Sequence, residues 1–166
     1  VKKIKIHSHV QTIESEAFSD CESLIELMIP NSVKMIGNDC FINCVNLKKV
    51  NIPPALSCIV SNTFKNCKAL LDLSLPSSVI SIGAGSFAGC SALKNVTFSE
   101  GLKYIKSEAF LNCTALTHLR FPKSVIDIDD DAFNGCCALT KVEYPYSMKM
   151  IINQIFYRKD ISLVSY

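Results

Sequence analysis

Cysteine is the residue in this chain best able to do chemistry. The 166 residues contain nine, and Cys21, Cys44, Cys67, Cys90, Cys113 and Cys136 follow one another at intervals of 23. Thiols so placed could bind a metal, bridge in pairs or pack in a core. A zinc site needs closely paired Cys, or Cys with His nearby. Cys40 with Cys44 and Cys136 with Cys137 have the wrong spacing, and His7, His9 and His118 lie elsewhere. Bridges between successive repeats are allowed by distance if the repeats stack as strands do, roughly 4.8 Å apart. Parallel side chains and an odd total argue against them. The expectation is a column of buried, reduced thiols, each a small apolar group with a weak donor.

Other chemistry is sparse. Glu14 with Glu16, and the run Asp127, Asp129, Asp130, Asp131, are the carboxylate clusters, and the run lacks the spacing of an EF-hand loop. Asn95-Val-Thr97 and Asn112-Cys-Thr114 match the glycosylation sequon. There is no GxSxG, P-loop or HExxH, so no enzyme, cofactor or metal is expected. With 19% charged residues and a net charge of +2, nucleic acid is not an expected partner. No apolar run approaches the roughly 20 residues of a membrane span. Residues 1–10, VKKIKIHSHV, lack the apolar stretch of a signal peptide.

The spacing of the thiols leads back to the elements that hold them. Phe18, Phe41, Phe64, Phe87, Phe110, Phe133 and Phe156 keep the same 23-residue period. So do Ile13, Ile36, Ile59, Ile82, Ile105, Ile128 and Ile151, and Leu24 through Leu139. Such registered columns predict a solenoid of stacked coils. Within a coil, Leu116-Thr-His-Leu119-Arg-Phe121 reads as a strand, and Pro122 ends it. Val125-Ile-Asp-Ile128 reads as a second short extended piece. Ser15, Asn38, Ser61, Ser107, Asp130 and Asn153 read as N-caps of a helical turn that carries the Phe. Asp20, Asn43, Asn66, Gly89, Asn112 and Gly135, just before the Cys column, tolerate the left-handed conformation that closes such a turn.

The segments LIELMIPNSVKMIGNDCFINC (24–44) and LLDLSLPSSVISIGAGSFAGC (70–90) resemble the BspA-like leucine-rich repeat, LxxLxIPxSVxxIGxxAFxxC. The resemblance implies an α/β leucine-rich-repeat solenoid, mostly β. Its parallel sheet would lie on the concave face, with a second short strand and one helical turn per coil. It also implies a cell-surface or secreted adhesin that binds host or matrix proteins.

The whole of 1–166 reads as one repeat domain of about seven coils. The first coil reads as truncated, with Val1, Ile4, Ile6 and Val10 entering at a strand, as if a longer array had been cut. Residues 146–166 read as a degenerate C-terminal coil or cap, with Lys159 where a Cys is due and Ile161, Leu163 and Val164 out of register.

The polar slots of LxxLxI point away from the core in three columns. These are Lys2, Ile25, Lys48, Leu71, Lys94, Thr117 and Thr140; then Lys3, Glu26, Lys49, Asp72, Asn95, His118 and Lys141; then Lys5, Met28, Asn51, Ser74, Thr97, Arg120 and Glu143. Binding residues are expected here: Ile25, Met28, Lys48, Leu71, Asn95, His118 and Arg120, on a monomeric chain. The alternative is an intracellular scaffold, which free thiols suit better.

Overall fold

The computed structural model describes residues 4–157 and 160–166. Val1, Lys2, Lys3 and Lys159 lie outside the described residues. The chain winds into a solenoid with two parallel sets of short strands. One set comes from the LxxLxI segments: β2 (Glu26–Leu27), β4 (Lys49–Val50), β6 (Asp72–Ser74), β8 (Asn95–Thr97), β10 (His118–Arg120) and β12 (Lys141–Tyr144). The other comes from the SVxxI segments: β1 (Thr12–Ile13), β3 (Met35–Ile36), β5 (Cys58–Ile59), β7 (Ser81–Ile82), β9 (Tyr104–Ile105) and β11 (Asp127–Ile128).

The first set pairs as β2-β4, β6-β8 and β10-β12; the second as β1-β3 and β5-β7-β9-β11. Register advances by 23 residues from β1 to β12, so Leu73 lies opposite Val96 and Ile82 opposite Ile105. The strand after Pro turns at once: Val33, Leu56, Val79 and Val125 each donate an amide to the carbonyl of the Pro three residues earlier. A proline needs no partner for nitrogen, so it ends the strand without an orphaned donor.

Fixed register turns each sequence column into a physical stack. Phe18, Phe41, Phe64, Phe87, Phe110 and Phe133 lie face to face, with centroids 5.1–5.4 Å apart and planes within 11°. Phe156 ends the stack tilted by 43° against Phe133. Phe98 and Phe121 form a shorter stack that meets Phe110 and Phe133 edge-on.

The cysteine column has a specific partner in this stack. Cys44 donates its thiol to the carbonyl of Phe18 at 3.1 Å, and Cys67, Cys90, Cys113 and Cys136 do the same to Phe41, Phe64, Phe87 and Phe110 at 3.3 Å. Each of the last four Phe carbonyls also accepts the amide of the Cys three residues on in its own coil. Both lone pairs of a buried carbonyl are thus used, one locally and one by the next coil, which removes the cost of leaving it bare. The nine cysteines stand as thiols. Five of the six in the column are buried; Cys21, in the first coil, is half-buried, and Cys40 joins the core from outside the column.

Three expectations need correction. Residues 4–10 form no strand; Ile4 is exposed, and Ile6 and Val10 only pack against the core edge. In the seventh coil, read as degenerate from residue 146, the Ile151 slot of the Ile column does not form the second extended piece. A 3-10 turn at Tyr146–Met148 leads into α1 (Lys149–Ile155), so Ile151 sits half-buried on a helix and not on a strand. The chain then returns as β13 (Ser162–Ser165) beside β12, with Lys141 opposite Ser162. The offset is 21 residues, so Leu163 and Val164 leave the 23-residue period while staying in the sheet.

The third correction concerns the Phe-bearing turns before α1, which are hydrogen-bonded turns and not α-helix. Successive amides alternate in direction. Those of Glu16, Phe18 and Asp20 reach the carbonyls of Asn38, Cys40 and Ile42 in the next coil, while Ser19 and Cys21 bond three residues back. Backbone bonds that would build a helix instead join neighbours. Two left-handed positions per turn make this possible. The one before each Cys is as expected, with φ from 57° to 75°. The other, at Glu16, Asp39, Asn62, Gly85 and Glu108, has φ from 54° to 62°. The assigned caps act differently too: Ser107 donates its hydroxyl to Asp131, and Asp130 accepts from Gln154.

The central coil should bear most of the load of stacking. Ile82 is fully buried and pairs with both Ile59 and Ile105, whereas Ile13 pairs with Ile36 alone. Ile82→Ala is expected to cost about 2–5 kcal/mol in chemical denaturation, and Ile13→Ala clearly less. Equal, small losses at the two sites would contradict interface-borne stability.

Candidate functional site: the outer strand face

The face is built by alternation. In β6, Leu73 points into the core while Asp72 and Ser74 face out; β10 repeats this with Leu119, His118 and Arg120. Ile25, Lys48 and Leu71 follow one another across three coils: Lys48 donates its amide to Ile25 at 2.8 Å, and Leu71 to Lys48 at 3.4 Å. Met28 is 65% exposed and Leu71 42%, while Ile25 is half-buried. Lys5, Lys48, Asn95, His118 and Arg120 are all exposed.

Not every slot of the columns faces solvent freely. Asn51 turns sideways, accepting from the amide of Ile29 and donating to its carbonyl at 2.7 and 2.9 Å. Its side chain thereby extends the short β2-β4 ladder. Asn95 donates to Asp72 at 2.6 Å across the β6-β8 pair. Its sequon is therefore exposed but already hydrogen-bonded, and Asn112 of the second sequon is exposed at a left-handed position.

At the C-terminal end of the face the polar residues converge. Arg120 donates to Glu143 at 2.7 Å, Lys141 also bonds Glu143, and His118 lies 3.6 Å from it. The bond from Lys141, with help from Arg120 and the neighbouring His118, holds the Glu143 carboxyl below the usual carboxylate range. The Arg120 guanidinium also lies over the ring of Tyr166, 4.5 Å from its centroid. Tyr166 is pinned in turn, because its hydroxyl donates to the Phe121 carbonyl. An arginine held by a carboxylate and a ring loses little further freedom when it meets a partner.

These residues border an open cleft of about 620 Å³, lined among others by Asn95, Thr97, Glu100, His118, Arg120, Lys123 and Tyr166. Three expected residues, Asn95, His118 and Arg120, thus meet at one place. Ile25, Met28, Lys48 and Leu71 share the face but lie outside the cleft. Tyr166 was not expected, because it reaches the cleft through a strand that has left the repeat. Ile161 and Leu163 alternate with serine there, but the 23-residue period gives that strand no register. Among the described residues no group of three or more His, Cys, Asp or Glu could hold a metal ion. Among the same residues no helix is long and apolar enough to cross a membrane.

Comparison with known proteins agrees with this architecture. A leucine-rich repeat protein from Eubacterium ventriosum is 33% identical over 81% of the chain, with a TM-score of 0.77. The Treponema pallidum leucine-rich repeat protein is 25% identical over 95% of the chain and 81% of its own length, with a TM-score of 0.71. A leucine-rich cell surface protein from Faecalibacterium prausnitzii shares the fold at 24% identity over 96% of the chain, with a TM-score of 0.65. The chain spans only 37% of the Eubacterium protein and 52% of the Faecalibacterium one. No curated protein matches it. The BspA-type leucine-rich repeat model matches six copies over residues 1–113 and 57–166. Columns, register and family pattern coincide from β1 to β12, and the chain belongs to the BspA-type leucine-rich repeat family.

Proposed function

We propose that the chain is a non-enzymatic, monomeric protein-binding module of a cell-surface or secreted adhesin, and that it binds host or matrix proteins through its outer strand face. The observation that carries this reading is the combination on one face of an immobilised Arg120, an open cleft beside it and the exposed Met28 and Leu71. Interface energy concentrates in such anchors of arginine and apolar side chains, and lysines are depleted at interface centres. Lys48 and its neighbours on the face then act mainly on association rate and salt sensitivity. The cell-surface naming of the Faecalibacterium protein supports the location.

The alternative is an intracellular scaffold, which the unbridged thiols favour. Immunolocalisation of the native protein decides between the two.

Binding is tested by pull-down against host matrix proteins and cell extracts, followed by substitution. Met28→Ala, Leu71→Ala and Arg120→Ala are each expected to weaken a captured partner, the strongest by about 30-fold or more, equivalent to about 2 kcal/mol. Lys65→Ala, Lys106→Ala and Asp129→Ala, off this face, should leave affinity unchanged. The reverse pattern would move the binding surface elsewhere on the solenoid.

A further inference from the structure

In five coils the amide of the left-handed residue before the Cys is held by the next coil. Asp20, Asn43, Asn66, Gly89 and Asn112 donate to Ile42, Lys65, Ala88, Leu111 and Asn134 at 2.7–2.9 Å. Gly135 is the sixth in this column, with φ of 75°. In the following coil α1 runs to Ile155, and among the described residues no carbonyl accepts the Gly135 amide. The residue before it is Asn134, exposed, with no side-chain partner among the described residues. This is the chain's single Asn-Gly pair.

We infer that Asn134–Gly135 is a site of spontaneous covalent modification, in which the asparagine side chain closes on the following amide and loses ammonia. Base removes the proton from the Gly135 nitrogen, which attacks Cγ of Asn134. A bond forms between that nitrogen and Cγ, and the bond from Cγ to the side-chain nitrogen breaks. The departing nitrogen takes up a proton and leaves as ammonia. Water then opens the cyclic imide at either carbonyl, giving aspartate or isoaspartate; no oxidant or reductant is involved. Glycine favours ring closure because it has no Cβ to crowd the imide.

The contrast with the other coils is specific. Asn43, Asn66 and Asn112 are each followed by Cys, whose amide is bonded back to the Phe carbonyl at 3.1–3.2 Å. There the attacking nitrogen is both occupied and crowded. At Asn134 no carbonyl among the described residues accepts the following amide, and Gly135 carries no Cβ, although the Asn112 carboxamide packs against its Cα.

The change would be felt in the stack. The Asn134 carbonyl accepts the Asn112 amide at 2.8 Å, and isoaspartate inserts a methylene into the main chain at that point. A new carboxylate would also be added three residues after Asp131, whose carbonyl accepts the Asn134 amide at 3.1 Å. The inference does not depend on the proposed binding role.

The folded protein is incubated at mildly alkaline pH beside a synthetic peptide of residues 124–141. Tryptic mass spectrometry reads the replacement of an NH by O, and isoaspartyl methyltransferase labelling reads the isomer. Asn134 in the folded chain is expected to react within about tenfold of the peptide rate, and at least about tenfold faster than any other asparagine. Asn134→Gln, on an exposed side chain, should abolish the methyl label without altering the fold. A folded chain that keeps Asn134 intact while the peptide reacts to completion overturns the inference. So does labelling that persists in N134Q.

Discussion

Phe87→Ala lowers the unfolding free energy by about 3–5 kcal/mol, the range for truncating a buried aromatic ring. Phe87 is fully buried. Its ring lies between Phe64 at 5.4 Å and Phe110 at 5.3 Å. Alanine leaves a void that neither neighbour can fill, because each is locked in register with its own coil. In a chain of this length the Tm should fall by roughly 6–20 °C. Phe18→Ala is expected to cost much less, since Phe18 is half-buried and stacks on Phe41 alone. Calorimetry of both variants is the check. A mild effect at Phe87, no larger than at Phe18, would show that the ring stack does not carry the solenoid.

Thiol labelling of the native protein should be strongly divided. Cys137 is exposed, and Cys21 and Cys58 are half-buried. They react first, with Cys137 leading. Cys40, Cys44, Cys67, Cys90, Cys113 and Cys136 are buried and should react only as the protein opens. Two effects act together. Burial excludes the reagent, and it disfavours the thiolate, which is the reactive form. Desolvation pushes Cys40 and Cys44 up to about 12 and moves Cys67, Cys90 and Cys113 upward as well. At fixed pH below the ordinary value, a rise from 9.0 to about 12 cuts the thiolate fraction by roughly three orders of magnitude. In denaturant without reductant all nine should label. If four or more stay hidden there, bridges exist and the thiol column is misread.

The core was legible in the sequence because a 23-residue period leaves little choice about what faces inward. Phe, Ile, Leu and Cys each keep one slot, and stacking converts slots into buried lines. The Cys slot was legible as small and buried. Its acceptor, the Phe carbonyl of the previous coil, is a relation between coils that no single repeat displays.

The helical reading of the Phe turn failed for the same reason. Ser15 or Ser107 before an Ala-Phe pair fits a cap by local propensity, but the neighbouring coil takes alternate amides and overrides it. Glu16 and Glu108 at positive φ show how far stacking can outweigh propensity, since non-Gly residues adopt this conformation at a cost.

On the candidate site, alternation identified the outward columns. It did not show Asn51 folded back on Ile29, nor Glu143 gathered among three basic groups. Tyr166 was out of reach, because β13 joins the sheet with an offset of 21 and breaks the rule that located everything else.

The two strand sets are interrupted at different places. The SVxxI set has its seam between β3 and β5; the LxxLxI set has seams between β4 and β6 and between β8 and β10. Every pair of adjacent coils from β2 to β12 therefore keeps a ladder on at least one side, and the Phe rings run on across all the seams. Tension along the axis finds no mid-span joint held by side chains alone. A rod of this kind yields by peeling from its ends, coil by coil, and takes up force gradually instead of snapping in two.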